Sequence, residues 1–93
     1  MSGRAARASL EVKNRLGLHA RAAGLVVQVL APFACDITVT KDDQRVNGKS
    51  ILNLMMLAAA PGSVLEITAE GPDAEAALAA LTALFEARFH EDG

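Results

Sequence analysis

Seven short segments with two kinds of hydrophobic pattern constrain the fold of this 93-residue chain more than any other feature. Four segments place apolar residues at every second position, which is typical of strands with one wet face. Three segments repeat apolar residues at helical spacing. In chain order they predict the elements βαββαβα. Because no strand segment is continuously apolar, we expect an α+β fold in which three helices cover one face of a four-stranded antiparallel sheet.

The same patterns predict the element boundaries. We place strands near residues 8–13, 36–40, 45–46 and 65–70, and helices at residues 20–31, 51–60 and 74–89. Ser50 and Asp73 stand where the N-caps of the second and third helices are expected. Residues 1–7 are small and basic without periodicity, so we interpret them as a flexible N-terminal tail before a single domain of residues 8–93.

Length and composition exclude several classes of protein. A chain of 93 residues has room for one small domain and not for a multidomain enzyme. The single cysteine, Cys35, excludes internal disulfides and cysteine metal sites, so we expect a small buried side chain in a cytoplasmic protein. No apolar run approaches the roughly 18 to 20 residues that span a membrane, and no signal peptide is evident. Metal-spaced clusters and a Gly-rich phosphate loop are also absent from the sequence, so we expect no metal and no cofactor.

Charge is distributed unevenly along the chain. Residues 1–49 hold eight Lys and Arg against four acids, a net charge of +4, whereas residues 50–93 hold one Arg against seven acids, a net charge of −6. A positive face of this kind can steer an acidic partner or bind a phosphate. Nucleic acid is a weaker interpretation, because the basic residues are scattered and have no aromatic neighbours that would stack on bases.

His19 is the residue whose position points most directly to chemistry. It lies between a loop, residues 14–18, and the first helix, whose leading backbone N–H groups are unpaired. A helix start of this kind binds anions, here through the backbone of Ala20 and Arg21. The Arg21 guanidinium can pair with phosphoryl oxygens, and Arg15 can add a second charge. The group suits a histidine that accepts a phosphoryl group and passes it on, although a lone histidine before a helix is more often an exposed residue without a role.

Two motifs in the chain resemble one family. The segment NRLGLHARAA, residues 14–23, resembles the active-site signature of HPr, the histidine-containing phosphocarrier of the bacterial phosphoenolpyruvate-dependent phosphotransferase system. The segment VNGKSILNLM, residues 46–55, resembles the regulatory-serine segment of that family. The likeness extends over residues 8–90. The open-faced sandwich of the family has the element order that periodicity alone predicts here.

The resemblance implies roles for particular residues. His19 matches the histidine that Enzyme I phosphorylates on its δ nitrogen, and Arg21 matches the arginine beside the phosphoryl group. Ser50 matches the serine that HPr kinase/phosphorylase modifies in some bacteria, and Leu52 and Met55 match an apolar surface that contacts partners. Enzyme IIA domains are the implied acceptors. The chain would then be a carrier rather than a turnover catalyst, and nothing demands more than a monomer.

Three positions depart from the family pattern. Ala22 stands where the family usually has proline; alanine also suits the first turn of a helix, so we expect the fold to persist with a less rigid turn. Asn53 and Met56 stand where Gly and Ser are common in kinase-regulated members, which weakens the expectation of kinase recognition. Ser50 is also explained as an N-cap alone. Of the adjacent methionines we expect one buried and one exposed, with Met55 outside.

Two other functions remain open at the level of the sequence. One is a regulatory binding module, nitrogen-type or kinase-controlled, that signals through partner proteins. The other is a degenerate member that binds partners without carrying phosphate, against which the presence of both His19 and Arg21 argues. Lys49 either solvates its turn or adds to the positive field near His19. We assign no role to His90.

Overall fold

The computed structural model describes residues 5–91 and contains four strands and three α-helices. In chain order these are β1 (Ala5–Glu11), α1 (Ala20–Leu30), β2 (Asp36–Lys41), β3 (Gln44–Asn47), α2 (Ile51–Met56), β4 (Val64–Glu70) and α3 (Ala74–Glu86), and a 3-10 turn, Arg88–His90, follows. All strand pairs are antiparallel, and their order in the sheet is β1-β4-β2-β3. The predicted βαββαβα architecture is confirmed. Within residues 5–91, no helix combines the length and apolarity needed to cross a bilayer.

The pairing register places the apolar side chains of the strands on one face. Leu10 of β1 lies opposite Leu65 of β4. Val39 of β2 lies opposite Ile67 of β4 on one side and opposite Val46 of β3 on the other. These side chains are buried together with the inner faces of the helices, among them Ala23, Val26, Leu30, Leu54, Leu81 and Phe85. The core is aliphatic except for Phe85 and Phe89, as the scarcity of aromatic residues predicts.

β1 begins earlier than the sequence pattern suggests. Ala5, Ala6 and Arg7 pair with β4 and belong to the sheet, whereas we had expected a tail over residues 1–7. The inner positions of this end are Ala6 and Ala8, which pack against the core. Their side chains are too small to produce a visible apolar alternation beside the larger residues that follow. Residues 1–4 of the expected tail lie outside the described residues.

α2 ends at Met56, so the prediction of a helix to residue 60 is wrong. Ala58 has a positive φ of 48°, which turns the chain out of the helix. Leu57 and Ala59 are then buried, and the Ala59 carbonyl accepts a hydrogen bond from the Leu18 N–H at 2.9 Å. Residues 58–60 are alanines, which favour a helix in isolation. Here the chain turns and Ala59 contacts the loop before α1, because tertiary contacts outweigh helix propensity.

Asp73 precedes α3, but its side chain does not cap that helix within the described part of the chain. The carboxylate accepts hydrogen bonds from the backbone N–H groups of Ala34, at 2.7 Å, and Cys35, at 2.9 Å. Asp73 therefore occupies the predicted N-cap position, but its carboxylate binds the loop between α1 and β2 instead of the N–H groups of α3. Cys35 is buried as predicted; this burial and the Asp73 carboxylate raise the pKa of its thiol, which disfavours the reactive thiolate.

Candidate functional site

His19 is the N-cap residue of α1 and has extended backbone angles. Its carbonyl accepts the first helical hydrogen bond, from the Ala23 N–H at 2.8 Å, and its own N–H donates to the Gly17 carbonyl. The side chain does not cap the helix within residues 5–91, so the ring is available to other partners. About a quarter of the side chain, 27%, is exposed. The fold therefore presents an accessible imidazole directly at a helix N-terminus, as the sequence predicts.

The loop before His19 is held by close backbone contact. Gly17 has a φ of 71°, and a Cβ added there would lie 2.6 Å from the Ala59 carbonyl oxygen. Both facts require glycine at this position. Asn14 is 1% exposed and donates through Nδ2 to the Gly17 carbonyl at 2.7 Å. The loop is thus fixed against the segment that follows α2.

The imidazole contacts a carboxylate that the sequence analysis did not single out. Nε2 of His19 lies 3.0 Å from Oε2 of Glu91. An ionised carboxylate only accepts hydrogen bonds, so this partner assigns the ring proton to Nε2. In the neutral ring, Nδ1 then carries the free lone pair. This is the δ nitrogen that the resemblance implies as the phosphoryl acceptor.

Glu91 is held by three further donors from the loop. Its carboxylate accepts from Nδ2 of Asn14 at 2.6 Å and from the backbone N–H groups of Arg15, at 3.0 Å, and Leu16, at 3.3 Å. The Asn14 side chain first, and then the His19 ring and the two backbone N–H groups, hold the pKa of Glu91 below its usual value. Glu91 lies 72 residues from His19 and outside both motifs. In the sequence it is noticeable only as one of the seven acids of residues 50–93.

A left-handed turn brings Glu91 to the loop. We had expected α3 to run to about residue 89, but it ends at Glu86, and Arg88, Phe89 and His90 all have positive φ, between 54° and 58°. Such angles cost non-glycine residues roughly 1 to 2 kcal/mol each. Phe89 anchors the turn: its side chain is fully buried, and its ring centroid lies 4.9 Å from that of Phe85. His90 is exposed.

The structure brings Arg21 to the same turn. Arg21 lies in the first turn of α1, and its Nη1 donates to the Phe89 carbonyl at 2.9 Å. The leading N–H groups of α1, those of Ala20 and Arg21, have no acceptor within the helix. Arg15 is exposed and meets Glu91 through its backbone N–H. His19, Arg21 and Glu91 therefore belong to one arrangement around the start of α1.

Ala22 occupies the third position of α1 and is fully buried. The helix begins at Ala20, so alanine in place of the proline usual in the family leaves the start of the helix where the sequence predicts it.

Ser50 caps α2, as predicted. Its Oγ accepts a hydrogen bond from the Asn53 N–H at 3.2 Å. The neighbouring Lys49 donates through Nζ to the Phe33 carbonyl, so its ammonium is bound to the loop after α1. This contact resolves neither of the two roles considered for Lys49, but it fixes the turn that presents Ser50.

α2 leaves an exposed apolar surface beside Ser50, which we call the α2 patch: Ile51, Leu52, Met55 and Met56. Leu52 is 75% exposed and Met55 is 42% exposed. Met56 is 65% exposed, so the prediction that one methionine is buried is wrong. The buried side chains here are those of Leu54, in α2, and Leu57, which follows it, so both methionines lie on the outer side. A patch of this kind on a small protein is typical of an interaction surface.

This chain is similar to known proteins over most of its length. A family model described as the PTS HPr component phosphorylation site matches residues 6–87. The phosphocarrier protein HPr of Neisseria meningitidis serogroup A is 51% identical over 83 residues, which cover 89% of this chain and 93% of that protein. The phosphocarrier protein NPr of Shewanella violacea is 38% identical and covers 84% of this chain and 86% of its own length.

Solved structures match as well. HPr-C-His from Thermoanaerobacter tengcongensis superposes with a TM-score of 0.90 at 43% identity, covering 95% of this chain and 99% of that one. An HPr dimer from the same bacterium has a TM-score of 0.75 at 46% identity and covers 88% and 94% of the two chains. The family match spans nearly the whole domain and includes His19, Arg21 and Ser50. The chain therefore belongs to the HPr family, the phosphocarrier proteins of the phosphotransferase system.

Proposed function

We propose that His19 accepts a phosphoryl group on Nδ1 from Enzyme I and passes it to enzyme IIA domains. The observation that carries the proposal is the 3.0 Å contact between Nε2 and Glu91, which leaves Nδ1 with the lone pair. This lone pair attacks the phosphorus of the donor; the bond between phosphorus and the donor atom breaks, and its electron pair stays with the donor. The transfer to the acceptor repeats the step with Nδ1 as the leaving atom.

Arg21 and the start of α1 stabilise the phosphoryl group in this proposal. The backbone N–H groups of Ala20 and Arg21 point out of the helix end and suit phosphoryl oxygens. The Arg21 guanidinium uses Nη1 for the Phe89 carbonyl and keeps further N–H donors for an oxyanion. Balanced stabilisation is needed, because a group held too tightly would not be passed on.

The protein acts as a carrier in this proposal and is regenerated by each acceptor, so it is not a turnover catalyst. The chemistry needs neither metal nor cofactor, since donor and acceptor are both proteins. A monomer suffices, because one chain supplies His19, Arg21 and Glu91. We place the relay in the cytoplasm, with no nucleic acid and no membrane insertion; the buried thiol of Cys35 suits a reducing compartment.

Ser50 is the proposed regulatory position, with HPr kinase/phosphorylase as the corresponding partner. A phosphate on Oγ would add negative charge at the N-terminus of α2, where it is favourable. Its effect would fall on binding at the adjacent α2 patch. The exposure of this patch also favours a second function, a regulatory module of the nitrogen type, to which the similarity to NPr points.

Intact mass after incubation with phosphoenolpyruvate and Enzyme I tests the carrier function. We expect one acid-labile, alkali-stable phosphoryl group on the wild type. It should be absent from His19→Ala and present on His90→Ala, which removes the other, exposed histidine. An adduct that persists in His19→Ala, or a wild type that stays unmodified, contradicts the proposal.

Discharge of the phosphorylated protein separates the two functions. Purified IIA domains of the sugar type and of the nitrogen type are offered separately, and loss of the phosphoryl mass is followed. Transfer to the sugar type alone supports transport. Transfer to the nitrogen type alone supports the regulatory function.

A further inference from the structure

The carboxylate of Glu91 is bound as a ligand in a site built by the loop before α1. Oε1 accepts from the N–H groups of Arg15 and Leu16, and Oε2 accepts from Nδ2 of Asn14 and Nε2 of His19. Only 11% of the Glu91 side chain is exposed. Four fixed donors allow the carboxylate one orientation, which distinguishes this contact from an exposed ion pair whose members can separate.

The chain keeps two unfavourable features to maintain this contact. The left-handed turn of Arg88–His90 is strained in all three residues, and it delivers Glu91 to the loop. Asn14 uses both hydrogens of Nδ2, for Gly17 and Glu91, while its Oδ1 is buried without a partner among the described residues. Rotating the amide would bring its oxygen against two acceptors, so the orphaned Oδ1 is a consequence of holding Glu91. Strain and unsatisfied groups of this kind concentrate at functional sites.

We propose that Glu91 is a positioning residue for His19, which it holds through Nε2 with Asn14 as its own support. The inference rests on the proposed function of His19. When the Nδ1 lone pair forms its bond to phosphorus, Nε2 keeps its proton and the ring gains a positive charge. The negative carboxylate 3.0 Å away then stabilises the ring as this charge develops. Glu91 thus sets which nitrogen reacts and favours the charge of the phosphorylated ring.

The ring tautomer is the first readout, and it needs no phosphoryl donor. Two-bond ¹H–¹⁵N NMR spectra of His19 are recorded on wild type, Glu91→Ala, Glu91→Gln and Glu86→Gln, at a pH where the ring is neutral. Glu86 pairs with Lys13 on the surface and serves as the matched control. We expect the Nε2–H tautomer in wild type and in Glu86→Gln, and a mixture of tautomers in Glu91→Ala and in Glu91→Gln, whose amide offers a single acceptor oxygen to four donors.

The rate of phosphorylation by Enzyme I is the second readout. Loss of the outer hydrogen-bond partner of a metal-bound histidine typically costs about tenfold to a hundredfold in activity, and we expect a loss of this size in the phosphorylation rate of Glu91→Ala. Glu91→Gln should also be slower than wild type, because it lacks the charge and one of the two acceptor oxygens. Unchanged melting curves would exclude unfolding as the cause. A Glu91→Ala protein that matches Glu86→Gln in both tautomer and rate overturns the proposal.

The two readouts separate this inference from the function on which it rests. If wild type takes no phosphoryl group but Glu91→Ala loses the fixed tautomer, the carrier function fails and the structural role of Glu91 in holding the ring stands. If wild type is phosphorylated on His19 and Glu91→Ala matches Glu86→Gln in both tautomer and rate, the carrier function stands and the positioning role fails.

Discussion

The Arg21 guanidinium has hydrogen-bond donors available in the unphosphorylated protein. One of its N–H groups is bound to the Phe89 carbonyl, and the planar guanidinium can offer the others to a phosphoryl group. Lysine keeps the charge but lacks the fork geometry. We expect Arg21→Lys to lose one charge-assisted hydrogen bond of about 1.5 to 3 kcal/mol, which slows phosphorylation of His19 about tenfold to a hundredfold.

The measurement for Arg21→Lys is the initial rate with Enzyme I under conditions where transfer limits. Arg45→Lys is the matched control, because Arg45 is an exposed residue of β3. Equal rates for both variants would show that the guanidinium geometry of Arg21 does not contribute.

Gly17 and Gly24 predict opposite effects of the same substitution. A Cβ at Gly17 would meet the Ala59 backbone oxygen at 2.6 Å, in a residue with positive φ, whereas nothing lies within 4 Å of a Cβ at Gly24 in α1. We expect Gly17→Ala to lower the free energy of unfolding by about 1 to 3 kcal/mol. Gly24→Ala should raise it by about 0.5 to 1 kcal/mol, since alanine restricts the unfolded chain and suits a helix. Urea denaturation measures both, and a Gly17→Ala protein as stable as wild type would contradict the loop geometry described here.

Among single residues, the sequence pointed to the proposed acceptor site but not to Glu91 and Asn14, which support it. His19 and Arg21 were recognisable because a helix start and a short motif mark them locally. Glu91 was not, since its place depends on three consecutive non-glycine residues with positive φ, which no propensity predicts. Asn14 was noticed only as part of a loop, because its burial follows from that same contact.

At the scale of elements, α2 is short and depends on its cap. It has six residues, and Ser50 supplies the hydrogen bond to the Asn53 N–H. We expect Ser50→Ala to lower the free energy of unfolding by about 1 kcal/mol, while Ser50→Asp, also a good N-cap, stays close to wild type. Chemical denaturation checks the pair. Equal stability of Ser50→Ala and wild type would mean that packing alone maintains α2.

The loop between α1 and β2 depends on the ionised carboxylate of Asp73. The N–H of Ala34 first, and then Cys35, hold the pKa of Asp73 below its usual value. A lowered pKa in the folded state means that the carboxylate stabilises the protein fully above the unfolded value of about 4 and ceases to do so as pH falls through the lowered value. We expect Asp73→Asn to melt below wild type at pH 7 and the difference to shrink below about pH 4.

Melting curves of Asp73→Asn between pH 2 and 7 measure this effect, with Asp43→Asn in the exposed β2–β3 turn as control. A difference between Asp73→Asn and wild type that is constant across this range would show that the charge of Asp73 is not involved.

The order of the elements was predictable because their apolar side chains are mostly large and periodic. Boundaries were not predictable where small residues or tertiary contacts determine where an element begins or ends. Ala6 and Ala8 conceal the start of β1. Ala58 and Ala59 favour a longer α2 in isolation, yet the chain turns there to meet the loop at Leu18. In both cases the alanine side chain is too small for the hydropathy pattern to show whether the position is buried.

At the scale of the whole molecule, one buried side chain joins the core to the site. Phe89 is fully buried against Phe85, and its backbone lies in the turn that holds Arg21 and precedes Glu91. We expect Phe89→Ala to lower the free energy of unfolding by about 3 to 5 kcal/mol and to slow phosphorylation, whereas Phe89→Leu should retain most of both. Chemical denaturation measures the stability, and the transfer rates are measured below the melting temperature of each variant. Full activity in a folded Phe89→Ala protein would show that the site does not depend on the turn.

The distance in sequence between His19 and Glu91 also has a consequence for biosynthesis. The proposed acceptor, His19, is synthesised 72 residues before Glu91, whose carboxylate contacts its ring. At about 5 to 20 residues per second, this interval lasts roughly 4 to 14 seconds. A nascent chain therefore displays the signature loop and the first helix well before the carboxylate of Glu91 can contact the His19 ring.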